Sequence, residues 1–217
     1  MDSLNYAQLN TQHCKAAMAH LSLILSDNKI DILLNQEPYC YNDVPSLCPL
    51  NYIPFYDNTN KPRACIFIKK DIAHNFMLLH THSTPDNVIV VTSTNPPLYV
   101  ASSYLPPYNT LEQDLTPIES FLTSTGPAHF LWGLDSNSHH SLWHNPTIDR
   151  RGRILVDFIT QNGIIINNEE DGPTYSGPLG ECWIDLTVNT TNTASRINNW
   201  QVSTENTQSE HNLLLYS

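Results

Sequence analysis

The residues most able to do chemistry fall in six polar islands, each at the end of an apolar stretch or in the loop after it. They are Asn10, Gln36-Glu37-Pro38, Tyr104, Asp135-Ser136-Asn137, Trp183-Ile184-Asp185 and Ser209-Glu210-His211-Asn212. The sharpest is FLWGLDSNSHHSLW at 130–143, where an apolar run stops abruptly at Asp135, Ser136 and Asn137. A buried strand that ends in an acid followed closely by an amide is a common way to build a catalytic or metal site. Singly, an Asn or a Glu at such a place is ordinarily a cap or a turn residue. They gain weight as a set because packed sheets bring successive strand ends to the same rim.

Other reactive residue types carry less. His139, His140 and His144 follow the Asp135 island and suit a structural or substrate-side role better than a metal cluster. Trp132, Trp143 and Trp183 suit core or loop anchoring rather than base stacking. The five cysteines are odd in number and include no CxxC pair, so neither a disulfide framework nor a zinc site is indicated. Asn189-Thr190-Thr191 matches the glycosylation triplet, which means little without a secretory signal.

The formal net charge of −11, with only ten basic residues, argues against a broad phosphate-binding surface. The bases do cluster in part: Lys61, Arg63, Lys69 and Lys70 in one group, Arg150, Arg151 and Arg153 in another, with Arg196 further on. They read either as scattered solvated charge or as a local phosphate-contacting rim. Arg196, in a polar stretch over 189–199, suits either a hairpin entering a DNA groove or a simple surface hairpin.

The elements that must position the islands are short. At 217 residues and 40% hydrophobic, the chain fits one domain, 1–217, with a substantial core. A strand is expected over 4–10, then a helix over 11–27 with Ala17, Leu21, Ile24 and Leu25 at helical spacing. Further strands are expected over 30–35, 64–68, 88–93, 98–104, 130–134, 164–167, 183–188 and 212–215. A second helix begins at 109 or 110, where Thr110 and Gln113 have capping-box spacing, and Pro117 is expected to kink or split it. A third runs over 152–162, closed by Gly163. Many strands with about three helices favour an α+β fold, a four-layer α/β/β/α sandwich of two mainly antiparallel sheets flanked by helices. No apolar stretch approaches the roughly 20 residues that span a bilayer, and the start lacks signal-peptide character. A soluble, intracellular protein without a membrane partner is expected.

In order along the chain, QLN, NQEP, SSYLPP, GLDSNSHHSLW, DRRGRILVDFI, GPTYSG, CWIDLTV and SEHN together resemble the endonuclease/exonuclease/phosphatase superfamily. The resemblance is closer to the apurinic-endonuclease-like endonuclease domain of LINE-type non-LTR retrotransposons, DSNSHHSLW followed by RGR and IDLTV being the specific part. It implies roles residue by residue. Glu37 matches the glutamate that binds the divalent metal, Mg²⁺ with Mn²⁺ as a substitute, and Asn10 the amide beside it. Asp135 matches the carboxylate that orients and deprotonates the attacking water, and Asn137 the amide that helps position it. Tyr104 matches a phenol on the scissile phosphate, His211 a donor to the phosphoryl oxygens, and Asp185 the acid that orients that histidine. Thr174 falls where the family places a further phosphate-side contact, and Glu210 falls at a metal-side acid.

The implied activity is Mg²⁺-dependent nicking of one DNA strand, leaving a 3′ hydroxyl for a covalently linked reverse transcriptase, in the nucleus. The family usually reads Ser-Asp-His where this chain has Ser209-Glu210-His211. The added methylene moves the carboxylate by on the order of 1 Å, which at a catalytic site can cost about 100-fold in rate. The acidic charge keeps open a small-molecule phosphatase or phosphodiesterase of the same superfamily. Glu210 keeps open a decayed retroelement remnant or binding module.

Overall fold

The computed structural model describes residues 4–126, 128–178, 180–193 and 197–217. The chain opens with β1 (Tyr6–Asn10), α1 (Lys15–Asp27) and β2 (Ile32–Gln36). Then come the small pair β3 (Cys40–Tyr41) and β4 (Val44–Pro45), β5 (Tyr52–Phe55), β6 (Ala64–Lys69), the short α2 (Lys70–Ala73) and β7 (Phe76–Leu78). The middle holds β8 (Asn87–Thr92), β9 (Leu98–Tyr104), α3 (Leu111–Thr125), β10 (His129–Asp135) and α4 (Arg150–Gln161). The last part holds β11 (Ile164–Ile166), β12 (Tyr175–Gly177), β13 (Gly180–Cys182), β14 (Asp185–Thr190), β15 (Gln201–Val202) and β16 (Leu214–Tyr216).

Among the described residues, two six-stranded sheets form, in the orders β15-β16-β1-β2-β6-β5 and β11-β14-β10-β9-β8-β7. The pairs β1/β2 and β9/β10 are parallel, and the other neighbours in both sheets are antiparallel. Alternation along the strands sorts side chains between layers. Ala7, Leu9, Leu33, Cys65 and Phe67 pack on Met18, Leu21 and Leu25 of α1. Phe130, Trp132 and Leu134 pack on Ile118 and Phe121 of α3 and on Leu155 of α4. Ile32, Leu34, Ile66, Val88, Val100 and Leu131 fill the space between the sheets. The result is the expected four-layer sandwich.

Local details depart from the sequence expectations. Helix α1 starts at Lys15 rather than near residue 11, because the chain leaves β1 through Gln12 and His13, both at positive φ (48° and 52°). Helix α3 runs unbroken through Pro117, with Ile118 and Phe121 buried on the sheet beyond it; packing outweighs the single lost N–H. The Thr110 hydroxyl makes no capping bond, and its carbonyl instead accepts from the Gln113 and Asp114 amides. The seven unanticipated strands β3, β4, β5, β7, β12, β13 and β15 are each four residues or fewer, too short for a period of two to show.

One displacement matters for the site. The strand expected over 183–188 runs Asp185–Thr190, so Asp185 opens β14 instead of following a strand. Because β14 is antiparallel to β10, its first residue lies opposite the last residue of β10, in the register Asp135↔Asp185. Parallel β9 brings Tyr104 beside Asp135, and parallel β1 and β2 end together at Asn10 and Gln36. Polar bonds close the gap between the sheets near this rim: Gln8 Nε2 donates to the Leu134 carbonyl at 3.2 Å and Gln36 Nε2 to Ser102 Oγ at 3.0 Å.

Candidate active site

Asn10 is the hub. Its Oδ1 accepts from the Gln12 amide at 2.7 Å, which turns Nδ2 toward Asp135 Oδ2 at 2.7 Å and Glu37 Oε2 at 3.1 Å. One amide thus bridges a carboxylate from each sheet. Glu37 follows β2 in a left-handed conformation (φ 46°), held by its own amide on the Arg63 carbonyl at 2.7 Å. Asn137 is also left-handed (φ 44°), and its amide donates to Asp135 Oδ1 at 3.1 Å while its Nδ2 reaches the Leu105 carbonyl at 3.3 Å. Non-glycine residues in this region carry strain that surrounding structure must hold.

Asp135, Asp185 and His211 are 1%, 2% and 4% exposed. Burial, followed by the charge of Asp185, raises the Asp135 carboxyl well above the ordinary range, against the opposing pull of His211 and Asn10. Burial alone would depress the His211 imidazole, yet Asp185 Oδ2 at 2.8 Å from Nδ1 prevails and raises it to about 9. Near neutral pH His211 is therefore an imidazolium with Nδ1 committed to Asp185, which leaves Nε2 to meet a substrate. The Tyr104 phenol is hydrogen-bonded to Glu37 and is pushed up by burial and by the charges of Glu37 and Asp135, so it remains a donor.

Two expected residues, Thr174 and Glu210, are placed differently from this group. Thr174 is fully buried behind it, its hydroxyl accepting from the Ile184 and Asp185 amides at 3.0 Å each; it supports the turn into β14. Glu210 Oε2 accepts from the Tyr175 hydroxyl at 2.5 Å and from Gln12 Nε2 at 3.4 Å, on the flank of the cluster. Arg196 lies outside the described residues. Of the basic rim, Arg151 is spent on the carbonyls of Asn137, Asn109, Leu105 and Ser136, bracing the two loops after β9 and β10. Trp132 and Trp143 are buried anchors, as their sequence setting suggested.

Several neighbours had been given no role from the sequence. His13 sets Nε2 at 3.4 Å from Glu37 Oε1 while Nδ1 faces the Pro38 carbonyl at 3.0 Å. Tyr175 meets the His211 ring edge-on at 5.0 Å. Ser209 Oγ donates to the Asn10 carbonyl at 2.8 Å, tying the His211 loop to β1. The available signal was adjacency: His13 lies three residues from Asn10, Tyr175 follows Thr174, and Ser209 belongs to the island of His211.

The residues suit a divalent cation. Ligand atoms of Asp135, Asp185 and His211 all lie within 4.8 Å of one another, and they form the one such group among the described residues. Asp185 Oδ1 is buried without a hydrogen-bond partner. His211 is engaged as the imidazolium partner of Asp185, so the donors open to an ion are carboxylate oxygens, the hard set that Mg²⁺ or Mn²⁺ takes. A buried carboxylate raised by desolvation is the group a cation would relieve.

A family model described as endonuclease-reverse transcriptase matches residues 98–215. No curated protein matches the chain in sequence. Among solved structures, the endonuclease domain of TRAS1, a telomere-specific non-LTR retrotransposon, superposes with a TM-score of 0.87 at 25% identity, covering 99% of this chain and 97% of that one. An AP endonuclease from Archaeoglobus fulgidus gives a TM-score of 0.70 at 16% identity, with 99% and 98% covered. The 3′ phosphatase NExo from Neisseria, bound to product DNA hairpin, gives 0.74 at 11% identity, with 99% of both chains covered. The last two show likeness of fold alone.

Proposed function

From the premise that the chain belongs to the endonuclease-reverse transcriptase family, we propose that it is a Mg²⁺-dependent DNA endonuclease that nicks one strand and leaves a 3′ hydroxyl. That hydroxyl would prime a reverse transcriptase carried on the same polyprotein, acting in the nucleus. The observation that carries the reading is the pairing of two unlike halves at one rim. Asp135, raised by burial and held by Asn10, faces the His211–Asp185 ion pair.

Each half has a task that its environment suits. Asp135, its basicity increased by burial, takes the proton of the attacking water, and the Asn137 amide holds the carboxylate in line. His211 donates from Nε2 to a phosphoryl oxygen as negative charge builds, with Asp185 fixing the ring and its charge. Tyr104 turns its phenol from Glu37 to the scissile phosphate. Glu37, across the Asn10 amide from the buried carboxylates of Asp135 and Asp185, would hold the divalent ion with them, and the ion would supply Lewis-acid polarisation of the phosphoryl group. Glu210 is left out of this ligand set because Tyr175 and Gln12 hold its Oε2 on the flank of the cluster.

The test is supercoiled plasmid with Mg²⁺, comparing wild type with Asp135→Ala. Wild type should convert it to nicked circles that a DNA polymerase extends without prior phosphatase treatment. The variant should be slower by about 100- to 10,000-fold, the range of a lost general base. No excess of nicked circles over the variant removes the reading, and turnover of p-nitrophenyl phosphate without nicking replaces it with a small-molecule phosphatase.

A further inference from the structure

Beside the catalytic rim, Arg63 lies between two tyrosines. Its guanidinium is 5.2 Å from the Tyr104 ring centroid and 5.8 Å from that of Tyr108. It is clamped by Asp86 in a two-point pair, Nε to Oδ1 at 2.5 Å and Nη2 to Oδ2 at 2.6 Å, and Nη1 donates to the Tyr108 hydroxyl. The Asp86 carbonyl in turn accepts from the Tyr104 amide at 2.9 Å. Tyr108 is nevertheless 75% exposed. An exposed aromatic ring normally gains nothing by being held, yet this one is braced to the phenol that touches Glu37. Asp86 neutralises Arg63, so the guanidinium serves as a brace rather than as a phosphate anchor.

We propose that Tyr108, held out by Arg63, is a stacking platform for an unpaired nucleobase of the DNA strand entering the site. The proposal rests on the endonuclease reading and assigns the group that grips the strand. Base-on-aromatic stacking tolerates any base and needs no net positive charge, which suits a chain with a formal charge of −11. The ring is already immobilised, so little side-chain freedom remains to be lost on binding.

The experiment uses the full chain in EDTA and a single-stranded 12-mer with one internal 2-aminopurine, reading affinity and fluorescence quenching together. Tyr108→Ala should weaken binding on the order of 10-fold and lose the quenching, whereas Tyr108→Phe, which keeps the ring and gives up only the bond from Arg63, should keep the quenching and lose a smaller share of the affinity. A 12-mer that is abasic at every position should bind wild type and Tyr108→Ala alike. Equal affinity and quenching in Tyr108→Ala overturns the platform. So does loss of quenching in Tyr108→Phe, which would show that the hydroxyl and not the ring meets the base, and so does absence of wild-type binding. Plasmid nicking is scored separately: quenching without nicking sinks the endonuclease reading and leaves the platform, and nicking without quenching does the reverse.

Discussion

His211 carries its charge because Asp185 lies 2.8 Å away in a buried setting, and that charge is linked to folding. Its pKa of about 9 stands above the ordinary imidazole value, so the stabilisation is complete below about pH 6.5 and is lost as pH rises through the folded value. In EDTA, urea unfolding should show wild type losing on the order of 3 kcal/mol between about pH 6 and pH 10 that Asp185→Asn does not lose. Equal losses in both would remove the ion pair from the stability of the site. Glu210 gives a second test. Its longer side chain reaches the Tyr175 hydroxyl at 2.5 Å, and that bond and the one from Gln12 lower its pKa. Glu210→Asp, shorter by a methylene, should give up the contact and slow nicking several-fold rather than speed it, by the sensitivity of such sites to shifts of about 1 Å. A gain in nicking would revive the reading of an activity decayed at this position.

Strand β10 delivers Asp135, and its fit between the sheets depends on Gly133. A Cβ there would sit 2.6 Å from both Gln8 Oε1 and Leu34 Cδ1 of the facing sheet. Gly133→Ala should destabilise by about 1–3 kcal/mol, the range for overpacking, and should lower nicking because the Gln8 and Leu34 side chains must shift and Gln8 bonds to the Leu134 carbonyl beside Asp135. A variant with wild-type urea midpoint and activity would show that this contact does not set the spacing. Helix periodicity in α1 and α4 was legible because their apolar residues recur at the helical interval. The beginning of α1 was not, since left-handed Gln12 and His13 intervene and neither residue type announces it. That misjudged turn carries Gln12 and His13, which touch Glu210 and Glu37.

Across the whole molecule, a net charge of −11 and ten basic residues limit how many phosphates can be neutralised, and two arginines near the site, Arg63 and Arg151, are already engaged. DNA affinity should therefore fall shallowly with salt, with a log–log slope of about −3 or less steep, measured by fluorescence anisotropy from about 50 to 200 mM salt. A slope near −8 would mean a broad cationic surface and contradict this charge distribution. Most of the molecule's architecture was readable from the sequence alone. Apolar runs specify strands, helical spacing specifies α1, α3 and α4, and the polar residues that interrupt those runs mark Asn10, Glu37, Tyr104, Asp135, Asp185 and His211, because each must be paid for by a partner if buried. Which partner was decided only by tertiary structure. Thr174 and Glu210 look from the sequence like Asp185 and His211, yet antiparallel register sets Asp185 against Asp135, while Thr174 turns to backbone amides and Glu210 to Tyr175. Residue type states what a side chain can bind, and only the packing of distant strands determines what comes within hydrogen-bonding distance.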